Sequence, residues 1–582
     1  MFSEYSSHRV EIKNLKFITD EGERLPKTAI LTINVPGHTN PIVELLGYRE
    51  LEDIYKLIDD GLPINLNHCY INKFSISDYR QLRKFDSKKV ITLAGFTAKN
   101  SFFDSPSNLD FSYCAFQDAD FSIEYSWVLK GRMNFNYSTF LGSIINFSNV
   151  HFRDGNFDFA NVKIEKGDIT FKNTVFGNGK KDFQYTDFGT GKKNFTNLEF
   201  NNGDASFINT QFNDGDVSFK VARWGAGRVD FHYAKFGAGD KTFEQAEFGN
   251  GTINFRTVEF GTGKVNFNRT EFGNGEVSFE GSELLDGKFT FKKAVFGKGS
   301  LSFELAEFKE ADLAFDRTDF GSGIISFYNS KFKSLSLNSC HLDHYTDIRL
   351  SYCKFIDLSN TIVRDIIDLK PYEFHEEIDT VSFVGMRLIG RIYIDWVQNK
   401  VPQLIESQKD VSHRLKSEQY RTLKENFRVT GQYADEDNAY VEFKRHEATA
   451  DLSDSLNNKP YSAFYMYPTH WFKLLVFDKA GLYATNPLRV IISMAVAYVF
   501  YSLIYILLEI STSSVLLETV SHNETATVFG KAFYFSFVTY LTIGYGDFVP
   551  MGALRWVAGL QAFTGLFLMS YFTVAFVRKI LR

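Results

Sequence analysis

Near the end of the chain stands the run Thr542-Ile543-Gly544-Tyr545-Gly546-Asp547. Its chemistry lies in the backbone. Glycine reaches φ > 0 without a Cβ clash, so a ribbon with Gly544 and Gly546 at alternate places can be held extended with its carbonyls facing one axis. Such a cage of uncharged oxygens, joined by the Thr542 hydroxyl, suits a cation that has shed its water. No nucleophile–base pair or metal-ligand cluster elsewhere rises above background, so an enzyme is not expected.

Two apolar segments flank the run, Pro487–Leu508 and Trp556–Val577. As helices each is about 30 Å long, enough to cross the hydrocarbon core of a bilayer. Ahead of the run lies Gly530–Thr539, too short to span and suited to a re-entrant helix buried in protein. The negative end of its dipole would aim at the cation path.

Span, re-entrant helix, TIGYGD and span together resemble the pore unit of the two-helix potassium channels, and the hexapeptide resembles their selectivity filter. The resemblance is confined to 487–582. It implies that backbone oxygens of Thr542, Ile543, Gly544, Tyr545 and Gly546 bind K⁺, which is the transported ion, with no cofactor. Tyr545 is expected to turn away from the pore and prop the filter. Asp547, Tyr534, Phe535 and Thr539 fall where relatives support the filter, the two aromatics as a cuff. Gly565 sits where relatives often have a gating hinge, although Gly559 and Gly565 can equally serve close helix packing. Two positions depart from the family: Leu541 replaces a threonine and Val538 a glutamate. An Asp547–Glu pair is therefore impossible, which puts inactivation behaviour in doubt. One chain brings one filter strand and a filter needs four, so a homotetramer in a bacterial plasma membrane is implied.

The charges give an orientation. Lys473, Lys479 and Arg489 flank the first span, and Arg578, Lys579 and Arg582 follow the second. The loop between carries Glu509, Glu518, Glu524 and Asp547 against Lys531. Positive ends inside place both termini in the cytoplasm. No arginine-rich voltage-sensing helix is present, and no N-terminal apolar stretch reads as a signal peptide. With 64 basic and 70 acidic residues the net charge is −6, which argues against a nucleic-acid partner.

Phenylalanine is the compositional outlier, with 61 residues. Over 91–400 it recurs at alternating intervals of five and seven, as in Phe171, Phe176, Phe183, Phe188, Phe195 and Phe200. A regular period means a solenoid. Small residues such as Thr186, Thr210, Ala222 and Ala246 stand two before many of the phenylalanines. This resembles the pentapeptide-repeat family, whose fold is a four-sided β-helix. Four sides make a coil of about 24 residues; a flat coil of twelve is the alternative. About 13 coils spaced 4.8 Å apart would give a rod of roughly 60 Å. Gly-x-Gly pairs such as Gly177/Gly179 and Gly261/Gly263 are expected at widened corners with φ > 0. Cys114, Cys340 and Cys353 take the small inward position and read as reduced core residues; His341 and His344 are a weak metal candidate.

Around the array, 1–90 reads as a small α+β cap with strands at Val10–Phe17 and Ala29–Val35 and a helix at Glu44–Asp60. Residues 401–455 read as a helical hairpin, Asp410–Val429 and Asp435–Ala448. Asp451–Lys459 is a polar linker leading from the hairpin into 456–486, whose His470–Phe477 is expected to lie along the inner leaflet. The fold class is thus multidomain: a cytoplasmic four-sided parallel β-helix, an α-helical hairpin, and an α-helical two-span pore domain with a re-entrant pore helix. The function this implies is passive K⁺ transport, gated by the cytoplasmic β-helix, with no gating ligand indicated. The alternatives are a poorly selective cation channel and a membrane-anchored pentapeptide-repeat binding protein. Lys180, Lys181, Lys192, Lys193, Lys292 and Lys293 interrupt the acidic surface that DNA mimicry by such a binding protein would need.

Overall fold

In the computed structural model, phenylalanines 24 residues apart lie one above the other. The Phe195 and Phe219 rings stack at 4.5 Å and 4°, and those of Phe212 and Phe236 at 4.3 Å and 1°. Phenylalanines twelve apart sit on different walls and meet edge-on, as Phe183 and Phe195 do at 6.5 Å and 86°. The coil is therefore the four-sided one. Its short strands pair in parallel at the same spacing, Phe176 with Phe200 and Trp224 with Phe248. The longest wall has 14 strands, from Ile64–Asn65 to Glu377–Ser382. The structure describes the chain except 1–6, 20–21, 36–39, 106–107, 118–119, 130, 143, 372–376, 459–460, 462, 520–526 and 582. Lys459, Glu524 and Arg582 lie outside the described residues. The chain folds as two units, Met1–Gln408 and Lys409–Arg582.

The small inward residues do more than leave room. Thr186 and Thr210 are buried, and their hydroxyls donate to the carbonyls of Phe159 and Phe183 at 2.5 and 2.8 Å, stitching each coil to the one before. The glycines answer to stacking as much as to dihedral angle. Gly179 has φ +125°, as a widened corner needs, but Gly275 does not have positive φ. A Cβ there would lie 1.8 Å from the Gly251 carbonyl oxygen, so only glycine fits between coils.

Several expectations for this unit are corrected. The helix read over Glu44–Asp60 begins later: Ile42–Tyr48 is a strand and α1 is Leu51–Asp59. Ile42–Tyr48 pairs in antiparallel register with Lys27–Asn34, and Gly47 is crowded against Leu25 and Cys69, contacts a helix would not make. The strand Ser7–Lys13 joins the same sheet, which Gly47–Tyr48 continues in parallel into Cys69–Tyr70. Coil pairing thus starts ahead of residue 91. A second short helix, α2 (Ile76–Leu82), follows. Lys181 and Lys193 are not surface charges. Each occupies an inward position and is buried, its amine held by the carbonyls of Gly177 and Asp214 at 2.7 and 2.6 Å. Cys114, Cys340 and Cys353 are buried and unpaired, and burial pushes the thiols of Cys340 and Cys353 up to about 12. His341 is exposed, on the other side of the wall from Cys340. The last strand is Arg391–Tyr393, and α3 (Val401–Glu406) follows within this unit, packed on the wall strand Glu377–Ser382.

In the second unit, α4 (His413–Val429) and α5 (Tyr433–Asn458) pack as the expected hairpin. The polar linker is not one up to Asn458, because α5 runs on through it. α6 (Ala463–Phe472) leads into a π-helical stretch, Lys473–Lys479. Three longer elements then close the chain: α7 (Pro487–Ser511), α8 (Val528–Tyr540) and α9 (Leu554–Ile580). α7 and α9 are long and apolar enough to cross a membrane.

Candidate functional site

α8 positions the TIGYGD ribbon. Thr527 caps it, its hydroxyl accepting from the Gly530 N–H at 3.2 Å. At its other end the chain leaves the helix on carbonyls of the last turn: Thr542 N–H donates to Thr539 O at 3.1 Å and Ile543 N–H to Val538 O at 2.9 Å. Beyond this point φ alternates in sign. Thr542 is at +55°, Gly544 at +61° and Gly546 at +78°, while Ile543 and Tyr545 stay negative. Alternation of hand is the backbone form that turns successive carbonyls to one side, where a β-strand would point them oppositely. Positive φ is rare for a β-branched residue such as threonine and marks a constrained site.

Nothing lies within 4 Å of a Cβ built on Gly544 or Gly546, so conformation alone requires glycine there. Both faces of the ribbon are open in one chain, with Tyr545 71 % and Ile543 44 % exposed. The outer end is tied down. The Tyr534 hydroxyl donates to Asp547 Oδ2 at 2.7 Å. The Thr519 hydroxyl donates to Gly546 O at 2.6 Å and to Asp547 O at 2.8 Å. Leu516–Glu518 pairs with Phe548–Pro550 just beyond. Phe535 is buried edge-on against Tyr505, with ring centroids 5.2 Å apart. Val538 is buried and puts no carboxylate behind Asp547. α9 runs unbroken through Gly565 and crosses the end of α8 there. A Cβ on Gly565 would lie 2.0 Å from Tyr540 O, so the close approach of α9 to α8 requires glycine there.

Several supporting residues were not singled out in the sequence. Tyr498, Tyr501 and Tyr505 lie within the apolar span of α7. Their hydroxyls reach Phe533 O, Thr564 Oγ1 and Gln561 Oε1 at 3.2, 3.0 and 2.6 Å. Spaced i, i+3 and i+7, they share one helix face, and that spacing was the signal available. At the other end of the spans, Leu482, Tyr483 and Ala484 are all left-handed, with φ of 48, 53 and 62°. The Tyr571 hydroxyl accepts from Ala484 N–H at 2.8 Å and donates to Phe477 O at 2.9 Å, holding this turn at both ends. Arg445 on α5 pairs with the buried Asp478 at 2.8 Å. Asp437 on the same helix takes Arg578 and Lys579, each at 2.9 Å.

Residues 491–582 match the family model described as an ion channel. The match begins in α7 and takes in α8, the TIGYGD ribbon and α9. No curated protein and no solved structure matches the chain. With two helices long and apolar enough to cross a bilayer on either side of α8, the matched unit supports a membrane ion channel.

Proposed function

We propose that this chain is the subunit of a potassium-selective channel. The observation that carries the reading is the alternation of φ at Thr542, Gly544 and Gly546, directly after a capped helix too short to span and between two helices that can. Backbone oxygens along Thr542–Tyr545 replace the water of K⁺, with the Thr542 hydroxyl at the inner end. The Gly546 carbonyl, engaged by Thr519, belongs to the outer rim. Four copies surround the axis, which covers the ribbon faces left open in one chain. Tyr534 and Asp547 brace the mouth, Phe535 and Thr539 the inner end.

The loop charges favour cytoplasmic termini. α6 exposes Phe464 at 91 % and Trp471 at 65 %, which supports a place at the inner membrane–water boundary. The β-helix then acts from the cytoplasm, and its influence reaches the pore through α4, α5 and the left-handed turn gripped by Tyr571. Movement of α9 about Gly565 is the gating step. The test is reconstitution of the full chain in vesicles. K⁺ flux with a reversal potential that follows the K⁺ gradient in mixed Na⁺/K⁺ is expected, and Gly544→Ala should abolish it. A reversal potential indifferent to the exchange of Na⁺ for K⁺ would instead make the pore non-selective.

A further inference from the structure

Gln561 lies about two turns into α9 and is fully buried. A primary amide at that depth is expensive in an apolar span unless every polar atom is used. Here every one is. Nε2 donates to the Ser536 carbonyl at 3.0 Å and to the Ser536 hydroxyl at 2.7 Å. Oε1 accepts from the Tyr505 hydroxyl at 2.6 Å. The Ser536 hydroxyl, having accepted, donates its own hydrogen bond to Tyr498 O at 3.3 Å. The amide orientation is fixed by these partners, because the flipped amide would set its oxygen against the Ser536 carbonyl. One side chain thus joins α9, α8 and α7.

We propose that Gln561 is a positioning residue for the ion-binding ribbon, an inference that rests on the channel reading above. Ser536 stands on α8 less than one turn ahead of Val538 and Thr539, whose carbonyls receive the first amides of the ribbon. A rotation or slide of α8 that changed where Thr542 and Ile543 sit would break both amide bonds to Ser536. In a medium of low dielectric such a break leaves two donors without partners. The network therefore holds the ribbon at one spacing, on which discrimination between K⁺ and Na⁺ depends.

Bi-ionic reversal potentials of the reconstituted full-length channel test this. The wild-type chain is measured first; if it does not select K⁺ over Na⁺, the channel reading itself falls and this inference with it. Given a selective wild type, Gln561→Leu should assemble and lower the K⁺/Na⁺ permeability ratio about tenfold. Ser536→Ala leaves helix packing intact and should lower the ratio about threefold, with Ser536→Thr restoring it. An assembled Gln561→Leu channel with wild-type selectivity overturns the proposal. Should that variant fail to assemble, Ser536→Ala decides: an unchanged permeability ratio overturns it equally.

Discussion

A Cβ placed on Gly565 would stand 2.0 Å from the carbonyl oxygen of Tyr540. The obstacle is backbone at the end of α8, which cannot swing aside as a side chain does. Gly565→Ala should therefore push α9 off the pore helix. The expected cost is about 1–3 kcal/mol, by analogy with overpacked cores, read as a lower midpoint of thermal unfolding in detergent together with a shifted open probability. Gly559 on the same helix is the control, since nothing lies within 4 Å of its Cβ. Gly559→Ala should be neutral or stabilising by up to about 1 kcal/mol from helix propensity. Equal effects at the two glycines would rule out the contact with Tyr540 as the cause.

Three consecutive non-glycine residues in the left-handed region, Leu482, Tyr483 and Ala484, are costly at about 1–2 kcal/mol each. The Tyr571 hydroxyl offsets part of this by bonding the turn on both sides. Tyr571→Phe keeps the ring against Gly481 and Phe477 and deletes only the two hydrogen bonds. It should destabilise the turn by about 1–3 kcal/mol, seen as faster hydrogen exchange at the amides of 482–485. Unchanged exchange there would show that the turn is held by packing alone.

Asp478 is buried, and Arg445 is its partner through Nη2 at 2.8 Å and Nε at 3.2 Å. Removing the guanidinium strands a buried carboxylate. Arg445→Met is expected to cost about 3–5 kcal/mol, while Arg445→Met with Asp478→Asn should recover much of it, because the pair is worth less than the penalty of breaking it. Thermal unfolding of both variants and the wild type makes the comparison. Additive effects would mean that the two side chains do not depend on one another.

How much of this was legible in the sequence follows from the range over which each feature is encoded. The ribbon, the spans and α8 are set by contiguous residues, and each is found close to where the pattern put it. The coil is written in repetition: one period of 24 residues, set by phenylalanine and small residues in phase, fixes every wall. The strand Ile42–Tyr48 was hidden because Leu45, Leu46 and Tyr48 also fit a helical face, and only pairing with Lys27–Asn34 decides between the two. Gln561, Ser536 and Tyr571 were hidden for a related reason. Each is a polar residue within a largely apolar helix, and its partner depends on where helices cross. The lysines are different, because the signal was present and charge obscured it. Lys181 falls 24 residues after Phe157 and 24 before Ala205, in phase with an inward position.

That inward placement carries the last prediction. Burial pulls the amines of Lys181, Lys193 and Lys241 down from 10.5 to about 8, with nearby aspartates opposing the fall. Lys241 shows how the charge is tolerated at neutral pH: its amine donates to Gly237 O, Gly239 O and Thr262 O at 2.7, 2.8 and 2.7 Å. In the unfolded chain the same amines hold their protons up to the ordinary lysine value. Between about pH 8 and pH 10.5 the unfolded chain thus binds more protons than the folded one, so these lysines make folded stability rise with pH across that window. Their contribution is fully present above the unfolded value and is lost as pH falls through about 8. Methionine fills a similar volume without the charge. The triple variant Lys181→Met, Lys193→Met and Lys241→Met should therefore be more stable than wild type at pH 7.5, and the difference should shrink by pH 9.5. Denaturant unfolding of variant and wild type at the two pH values measures it; tyrosines, which begin to ionise in the unfolded chain by the upper pH and act in the opposite sense, affect both proteins alike and cancel in the difference. A difference of the same size at both pH values would mean that the amines gain as much from the carbonyls around them as they lose on leaving water.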